Sequence, residues 1–271
     1  MSELVDYQGK RVVVTGAASG VGAALVEVLR EAGADWITTI DVRPGGSVDQ
    51  TIAADLSDRR AVDRAIAEIA GPVDVLFNNA GVAATVPIDV VMAVNVLAPK
   101  RLTAGVADQM TAGGAVVNTA STAGGGYPAH LGEIQELLGI DEWDDALAWV
   151  RQRPDLTANP YGFSKECAQV FTMQVAPGLA ARDIRINSVC PGLIETPLLK
   201  DFSATMGQDL LDWMVTQSGN RRATALEIAN VLAFLGSDAA SYISGSNVIV
   251  DHGFTGALTT NQLDYSTFPT S

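Results

Sequence analysis

Short apolar runs alternate with amphipathic stretches along most of the chain. Runs rich in β-branched residues predict buried strands over 11–16, 35–41, 73–81, 113–121, 184–192 and 246–253. Between them, apolar residues at helical spacing predict helices over 20–34, 58–71, 88–110, 158–183 and 225–237. Strands and helices in simple alternation build a parallel sheet with helices on both faces. The pattern therefore predicts an α/β fold.

Composition agrees with one folded unit and argues against some partners. The 271 residues are 48% hydrophobic and show no linker-like change of composition, repeat or low-complexity run, so we expect a single domain over 1–271. The net charge of −14 repels phosphate backbones and anionic lipids, so we expect no nucleic-acid or membrane partner. Residues 1–10 lack the pattern of a signal peptide, and no uncharged apolar stretch of about 18 residues predicts a membrane span.

Cysteine and histidine are scarce. Cys167 and Cys190 form no CxxC motif, so we expect reduced thiols and a cytoplasmic protein. We interpret Cys167, which lies on a predicted helix, as a small buried residue. With His130 and His252 as the two histidines, we expect no metal site.

Three glycines mark the turn between the first strand and the first helix. In VVVTGAASGVGAALVEVL they stand at 16, 20 and 22, in a TGxxxGxG spacing. Glycine lets the backbone approach a pyrophosphate, and the helix N-terminus offers free N–H groups and the positive end of its dipole. The motif predicts dinucleotide binding, although a glycine trio alone is also typical of tight turns.

Acidic and amide residues follow later strands. Asp41 ends the second strand, where a carboxylate can accept both ribose hydroxyls of an adenosine and repel a 2′-phosphate, so we expect NAD. Arg43 leaves NADP open as the less favoured cofactor. Asp55 can contact the adenine or belong to a helix cap. The NNAG motif (78–81) ends another strand, where small residues let a cofactor lie against the backbone or simply form a turn.

A tyrosine and a lysine stand four residues apart in NPYGFSKE (159–166). Pro160 suits the first helical position, so Tyr161 and Lys165 lie one turn apart on the same helix face. An ammonium stabilises a phenolate, and together with an oxidised nicotinamide it can bring a tyrosine pKa from about 10 toward 7. The pair predicts a general acid/base, against the alternative of a surface tyrosine stacked on a lysine stem.

Three further positions favour a catalytic interpretation. Ser121 ends a strand, where ligands meet an open parallel sheet and a hydroxyl can donate to a carbonyl oxygen. Asn95 stands mid-helix in MAVNVLAP, an unfavourable place for a short amide without a function. In CPGLIETP, Pro191 and Gly192 break the chain directly after a strand, with Thr196 beyond.

Together these motifs resemble the short-chain dehydrogenase/reductase family. The match consists of TGAASGVG (15–22), Asp41, Asp55, NNAG (78–81), Asn95, Ser121, YGFSK (161–165) and PGLIET (191–196), in the family's order and over essentially the whole chain. The resemblance implies a Rossmann-type, doubly wound, seven-stranded parallel sheet and a homodimer or homotetramer. It also implies hydride transfer between a nicotinamide and an alcohol or ketone carbon.

The same resemblance implies a role for each matching residue. Tyr161 is the expected acid/base, and Lys165 binds the nicotinamide ribose and lowers the pKa of that tyrosine. Ser121 holds the substrate oxygen, and Asn95 supports a water-linked proton path. The backbone of Ile194 and the side chain of Thr196 are expected to hold the nicotinamide amide. The other expected cofactor contacts are Gly16, Ser19, Gly20, Val21, Gly22, Asp41, Asp55, Leu56, Asn79, Ala80, Gly81, Pro191 and Gly192.

Two stretches depart from the common family pattern. The segment from NNAG to Asn95 is short, and Ser121 and Tyr161 are unusually far apart. The extra segment, 127–159, predicts two short helices, the first ending at Gly139 and the second capped by Asp141. This helical insert is expected to roof the substrate site, to alter subunit packing, or to be a surface hairpin. Its apolar positions are Leu131, Ile134, Leu138, Trp143, Leu147 and Val150.

Residues 197–220 are expected to form a mobile lid helix over the ligand. Its apolar residues recur every four positions, as ordinary packing or as a ligand wall: Leu198, Phe202, Met206, Leu210 and Met214. Lys200 is the main cation of this stretch, so we expect a neutral, apolar alcohol or ketone as substrate. For the tail, 257–271, three alternatives remain: it is disordered, it covers a subunit interface, or it covers the mouth of the site.

The departures, with ETPLL (195–199) and the segment 221–245, look like the bacterial 3α-hydroxysteroid dehydrogenase/carbonyl reductase branch, which coniferyl-alcohol dehydrogenases also resemble. The leading expectation is an NAD-dependent, hydroxysteroid-like alcohol dehydrogenase or carbonyl reductase. A dehydrogenase of a smaller aryl or terpene alcohol is the alternative. A non-catalytic dinucleotide-sensing scaffold needs a damaged Ser/Tyr/Lys set, and this set is intact.

Overall fold

Parallel strands form the centre of the protein. Residues 4–43 and 48–269 are described by a computed structural model. Within these residues the strands are Arg11–Thr15 (β1), Trp36–Asp41 (β2), Gln50–Ala53 (β3), Val73–Asn78 (β4), Met110–Thr119 (β5), Arg185–Pro191 (β6), Ile194–Glu195 (β7), Ala223–Thr224 (β8) and Asn247–Val250 (β9). Seven strands form one parallel sheet in the order β3-β2-β1-β4-β5-β6-β9, and β7 pairs with β8. The predicted seven-stranded, doubly wound sheet is confirmed.

The strand order reverses beside β1. The chain extends the sheet through β2 and β3 on one side of β1, and then continues with β4 on the other side. Connections that leave in opposite directions open a crevice at the carboxyl ends of the two central strands, and open α/β sheets bind ligands there. The topology therefore fixes where a site forms.

Helices cover both faces of the sheet. Along the described chain they are Gly20–Glu31 (α1), Arg59–Glu68 (α2), Ile88–Met92 (α3), Ala98–Ala107 (α4), Leu131–Leu138 (α5), Trp143–Arg151 (α6), Pro160–Ala180 (α7), Leu199–Met206 (α8), Gln208–Gln217 (α9), Ala225–Gly236 (α10) and Phe254–Thr259 (α11). In β1, Val12 and Val14 pack with α1 and α10, whereas Val13 packs with the helices of the opposite face. Successive side chains point to opposite faces, so a strand covered on both sides must be apolar throughout.

The predicted helix over 88–110 is interrupted. A π-helical segment, Ala93–Leu97, separates α3 from α4. Pro99 accounts for the interruption, because it has no N–H to donate to the carbonyl of Asn95 four residues earlier. By length and composition the stretch Ile88–Ala107 is apolar enough to cross a membrane, but 67% of its most apolar window is buried inside the protein, as in a core helix.

The insert is part of the core. Helices α5 and α6 lie against α7 and α3, and Ile134, Leu137, Trp143 and Val150 are buried in the cluster that includes Phe163 of α7. A fully buried side chain of this size contributes about 1.5–3 kcal/mol. The interpretation of the insert as a surface hairpin is therefore wrong.

One predicted helix cap in the insert is also wrong. The N-cap of α6 is Glu142, whose side chain makes no cap hydrogen bond, and not Asp141. Asp141 lies 3.6 Å from the Nζ of Lys100, which also donates to two carbonyls at and after the end of α5, each at 2.7 Å. Lys100 therefore satisfies the carbonyls at the end of α5, and Asp141 makes an exposed ion pair with it in place of a cap bond. Gly139 ends α5 as predicted, with a right-handed φ of −76°.

Candidate active site

A deep cleft opens at the carboxyl ends of β1, β2, β4, β5 and β6. Its volume is about 1050 Å³. Sites for one drug-sized ligand measure roughly 300–1,000 Å³, so this cleft lies at the upper end of that range and suits a large ligand such as a dinucleotide. It lies in the crevice where the strand order reverses.

The glycine-rich loop lines one end of the cleft. A Cβ on Gly16 would lie 2.6 Å from the Cα of Ala80, and a Cβ on Gly22 would lie 2.1 Å from the carbonyl oxygen of Gly16. Gly20 has a φ of 58°. Close packing of the backbone therefore requires glycine at 16 and 22, and the left-handed backbone conformation favours glycine at 20. Ser19, the N-cap of α1, makes no side-chain cap bond, so its side chain does not occupy the first-turn N–H groups of the helix.

The NNAG motif packs directly against that loop. Asn79 Nδ2 donates to the carbonyls of Thr15 and Gly16 at 3.2 and 3.3 Å. The hydroxyl of Thr15 accepts from the backbone N–H of Asn79 at 3.0 Å. A Cβ on Gly81 would lie 3.6 Å from the Nζ of Lys165. Small residues here therefore bring the end of β4 close to both the glycine loop and the lysine.

Asp41 occupies the end of β2 beside the same loop. Its Oδ2 accepts from the backbone N–H of Ala18 at 2.9 Å, and its Oδ1 accepts from that of Arg43 at 3.1 Å. Each carboxylate oxygen keeps a second lone-pair direction, which suits two ribose hydroxyls. Arg43 also lines the cleft and is exposed.

Asp55 and Leu56 line the cleft beyond β3. Asp55 Oδ1 accepts from the N–H and hydroxyl of Ser57 at 2.9 and 2.7 Å, which closes a local turn. Asp58 is the residue that caps α2, by accepting from the N–H of Arg60 at 3.0 Å. The alternative of Asp55 as the cap of α2 is therefore wrong.

Tyr161 and Lys165 lie on the first turns of α7 with the geometry that their spacing predicts. Asn159 caps the helix by accepting from the N–H of Gly162 at 3.0 Å, and Pro160 follows it. Lys165 Nζ lies 5.6 Å from the centroid of the Tyr161 ring. The same Nζ donates to the carbonyl of Thr119 at 2.9 Å. That carbonyl at the end of β5 is a contact that no local pattern in the sequence indicates.

Ser121 stands next to this pair. It follows β5 at the N-cap of a 3₁₀ turn, Thr122–Gly124, and its Oγ accepts from the N–H of Ala123 at 3.1 Å. One lone pair of the hydroxyl is therefore engaged with the backbone. The hydroxyl proton stays available for the phenol of Tyr161 or for a substrate oxygen.

Burial dominates the acid–base properties of the pair. The ring of Tyr161 keeps an edge toward the cleft, but desolvation of its phenol raises the pKa to about 12, while the Ser121 side chain acts in the opposite direction. Burial lowers the pKa of Lys165 to about 8. In the protein alone, burial of the phenol therefore outweighs the effect of the lysine: Tyr161 is neutral at neutral pH, whereas Lys165 is still largely protonated. A further positive charge beside the phenol is needed to stabilise its phenolate.

Asn95 lies below the cleft and does not line it. Its Oδ1 accepts from the N–H of Val82 at 2.9 Å, and its Nδ2 donates to the Val82 carbonyl and the Ser164 hydroxyl, each at 3.0 Å. The side chain therefore ties the segment after β4 to α7. Pro99 deprives the backbone carbonyl of Asn95 of its usual helical donor. The sequence stretch NVLAP carries this signal, which sequence reasoning missed.

The segment after β6 closes over the glycine loop. Pro191, Gly192, Ile194 and Thr196 all line the cleft. The Thr196 methyl lies 3.4 Å from where a Cβ of Gly20 would be. The pairing of β7 with β8 fixes this segment at its base.

The lid consists of two helices, and the prediction of one helix is wrong. Gly207, with a φ of 83°, separates α8 from α9. The ring of Phe202 packs edge-on against Tyr161 at a centroid distance of 4.9 Å. Most of the predicted apolar stripe lines the cleft, whereas Leu210 does not: the lining members are Leu198, Phe202, Met206 and Met214.

The C-terminal segment covers the mouth of the cleft. Phe254, Thr255, Leu258 and Thr259 of α11 line it. Beyond α11, Tyr265 and Phe268 pack on Trp213 of α9 at 5.7 and 5.0 Å between ring centroids. Trp213 Nε1 donates to the carbonyl of Asp264 at 3.1 Å. Leu258 and Thr259 of the tail therefore line the cleft, whereas residues 260–269 do not. A subunit contact of the tail stays a prediction, and residues 270 and 271 lie outside the described residues.

The cleft thus brings together most of the residues singled out in the sequence. Gly22 and Asn95 are the predicted site residues that do not line it, and no residue of 127–159 does so in the described chain. Asp201 of the lid lines it, while Lys200 is exposed and does not. Sequence spacing could not assign these opposite positions to two adjacent residues.

The arrangement is that of a nicotinamide-dependent alcohol dehydrogenase, and the chain belongs to the short-chain dehydrogenase/reductase family. The family model described as short chain dehydrogenase matches residues 10–132, and one described as Enoyl-(Acyl carrier protein) reductase matches residues 151–255.

Similar proteins carry names from the same class. The chain is 34% identical to a coniferyl-alcohol dehydrogenase from Pseudomonas sp. (strain HR199 / DSM 7063), covering 92% of this chain and 98% of that protein. It is 32% identical to a cis-4-hydroxycyclohexanecarboxylate dehydrogenase from Sinomonas cyclohexanicum, over 90% of this chain and 95% of that protein. The 3-alpha-hydroxysteroid dehydrogenase from Pseudomonas sp. B-0831, complexed with NADH, has a TM-score of 0.77 and 30% identity, covering 93% of this chain and 99% of that chain.

Proposed function

We propose that this protein is an NAD-dependent oxidoreductase that interconverts a secondary alcohol and a ketone on a neutral, apolar substrate. The observation that carries the proposal is the convergence of Ser121, Tyr161 and Lys165 between a glycine-rich loop and an apolar lid within one cleft. Hydroxysteroids fit this class, as do bulky terpenoid and aryl alcohols, because the lid side of the cleft is rich in apolar side chains.

The glycine loop fits a dinucleotide on structural grounds. Gly16 and Gly22 leave no room for a Cβ, and the first turn of α1 offers backbone N–H groups to a pyrophosphate. When bound, the cofactor supplies a nicotinamide ring that accepts a hydride from the carbinol carbon or returns it to the ketone. We assign the nicotinamide amide to Ile194 and Thr196 and the adjacent ribose to Lys165, all of which line the cleft.

Tyr161 acts as the general acid/base. In alcohol oxidation its phenolate takes the proton of the substrate hydroxyl, so that the carbinol oxygen becomes a carbonyl oxygen as the hydride leaves the carbon. Ser121 donates its free hydroxyl proton to that oxygen and holds it against the tyrosine. The ammonium of Lys165, 5.6 Å from the ring centroid, favours the phenolate. The carbonyl of Asn95 is the group that we assign to the water-linked proton path.

Asp41 supports NAD over NADP. Its carboxylate lies at the end of β2 with both oxygens directed by backbone N–H groups of Ala18 and Arg43. A 2′-phosphate there would meet a negative charge, whereas two ribose hydroxyls would find acceptors. Asp55, Leu56 and the NNAG residues complete the contacts proposed for the adenosine and the central part of the cofactor.

A second candidate is a dehydrogenase of a smaller aryl alcohol. The coniferyl-alcohol dehydrogenase relative, at 34% identity, favours it. Phe202, stacked edge-on against Tyr161, offers an aromatic surface directly beside the reacting group. A non-catalytic scaffold is disfavoured, because Ser121, Tyr161 and Lys165 are all in place. The dimeric or tetrameric assembly, the cytoplasmic location and the single-domain organisation stay predictions.

The test is a panel of alcohols assayed with NAD and with NADP, followed at the absorbance of the reduced nicotinamide. The panel contains 3α-hydroxysteroids, monoterpenols, and benzylic and cinnamyl alcohols. Turnover of a steroid with NAD supports the leading proposal, and turnover of only the small aryl alcohols favours the second candidate. Tyr161→Phe should bind NAD as the wild type does and lose at least about 100-fold in turnover. Turnover retained in that variant would reject the mechanism.

A further inference from the structure

The 3₁₀ turn that carries Ser121 rests on the side chain of Gln169, two helical turns beyond Tyr161 in α7. Gln169 Nε2 donates to the backbone carbonyl of Ser121 at 2.8 Å, and both groups are buried. The side chain of Gln169 is one of the few buried polar side chains on α7, and the residue is 5% exposed. It does not line the cleft, so it has no contact with substrate or cofactor there.

The turn is shaped to receive this contact. A Cβ on Gly124 would lie 2.7 Å from Gln169 Nε2 and 2.5 Å from the carbonyl oxygen of Lys165, so only glycine lets the turn lie directly on α7. On its other side, the hydroxyl of Thr122 donates to the carbonyl of Pro191 at 3.2 Å. The turn is therefore fixed from two directions, by the segment after β6 and by Gln169.

We propose that Gln169 is a positioning residue that sets the direction of the Ser121 hydroxyl, a role that rests on the proposed function. The carbonyl of Ser121 belongs to the peptide plane that follows its Cα, so holding the carbonyl fixes the backbone from which Oγ projects. Oγ has one lone pair engaged by the N–H of Ala123, which leaves two directions for its proton and its second lone pair. Without the amide donor the turn can rotate, and catalytic groups misplaced by a fraction of an ångström lose rate.

The first test is the isosteric variant Gln169→Leu, which removes the donor and keeps the volume. With the panel alcohol that gives the highest kcat/KM, we expect kcat to fall about five- to tenfold, the effect of one lost hydrogen bond. The dissociation constant of NAD should stay unchanged, because Gln169 is remote from the glycine loop. Thr172→Val is the control, because Thr172 is buried three residues further along α7 and its hydroxyl donates to the Ala168 carbonyl and accepts from Asn118 Nδ2, each at 2.9 Å. It removes buried hydrogen bonds from the same helix without touching the Ser121 turn, so kcat should fall much less than in Gln169→Leu.

A double-mutant cycle separates positioning from general packing. In the S121A background the Gln169→Leu substitution should have no further effect on kcat, because no hydroxyl is left to orient. Equal fractional losses in both backgrounds, or wild-type kcat for Gln169→Leu, would overturn the role of Gln169. Turnover retained in S121A would instead reject the proposed function itself. Gln169→Asn, one methylene too short to reach the carbonyl, should repeat the loss and replaces Gln169→Leu if that variant does not fold.

The variant Gln169→Glu gives a signature that a space-filling role would not produce. A protonated glutamic acid can donate to the Ser121 carbonyl, whereas the ionised form places negative charge against it. The ratio of its kcat to that of the wild type should rise as the pH falls, while the same ratio for Gln169→Leu stays flat. A flat ratio for both variants contradicts the proposal.

Discussion

The buried ammonium of Lys165 should lower the free energy of unfolding although catalysis needs it, and the variant Lys165→Met measures that loss of stability. Burial lowers its pKa from 10.5 to about 8. At about 1.4 kcal/mol per unit, the buried ammonium destabilises the protein by roughly 3 kcal/mol at neutral pH. The variant also loses the hydrogen bond to the Thr119 carbonyl, worth about 1 kcal/mol. Lys165→Met should therefore raise the free energy of unfolding by about 2 kcal/mol and abolish turnover.

The pH dependence gives the sign of the effect. Because the folded pKa lies below the unfolded one, the unfolded chain binds more protons between pH 8 and pH 10.5. The contribution of Lys165 to the free energy of unfolding therefore becomes less unfavourable as the pH rises across this window, because the folded state releases the proton that destabilises it. Below pH 8 both states are protonated and the penalty is complete. The advantage of Lys165→Met is thus largest below pH 8 and disappears toward pH 10.5.

Urea unfolding of the protein prepared without cofactor, at pH 7, 8.5 and 10, tests this reasoning. Lys200→Met is the matched control, because Lys200 is an exposed lysine of the lid and its replacement should leave the stability unchanged at every pH. The reasoning is refuted if the wild type is more stable than Lys165→Met at pH 7. A difference that does not shrink with rising pH refutes it as well.

Three other predictions follow from the cleft and its cover. Asp41→Ala should weaken NAD binding by about tenfold or more and NADP binding far less, since only NAD uses the carboxylate as a ribose acceptor; equal losses would reject that role. Asp201→Asn should raise kcat/KM at low salt about tenfold for a benzylic alcohol that carries a carboxylate, relative to the same alcohol without it, because a negative charge beside the substrate is removed. Asp209→Asn is the control and should have no such effect, because Asp209 is an exposed carboxylate on the same lid. No change for Asp201→Asn would place that carboxylate away from the substrate. Trp213→Ala should lower the free energy of unfolding by about 3 kcal/mol, because a buried ring that packs against Tyr265 and Phe268 is lost. The tail should then be cut faster in limited proteolysis; an unchanged cleavage rate would contradict the packing role of Trp213.

The fold class and the chemical core were readable in the sequence because their signals are local. Strand and helix periods follow from backbone sterics, so β1, α1 and the start of α7 lie where the pattern predicts them. The glycines at 16, 20 and 22 and the Tyr161–Lys165 spacing are also local signals. They predict their own geometry within a single turn or loop. The errors fell where a distant residue or a break competes with local preference, at Asp141, at Gly207 and at the π-helical segment before Pro99.

What brings the site together depends on contacts between residues far apart in the chain, and only the tertiary structure decides those. Lys165 reaches the carbonyl of Thr119, and Gln169 reaches that of Ser121, across 46 and 48 residues. No periodicity records such pairs, because backbone carbonyls are the same at every position and their availability depends on packing. The burial that moves the pKa of Tyr161 to about 12 likewise arises from neighbours on several elements. The sequence determines which groups are present, and the fold determines their distances, their desolvation and therefore their chemistry.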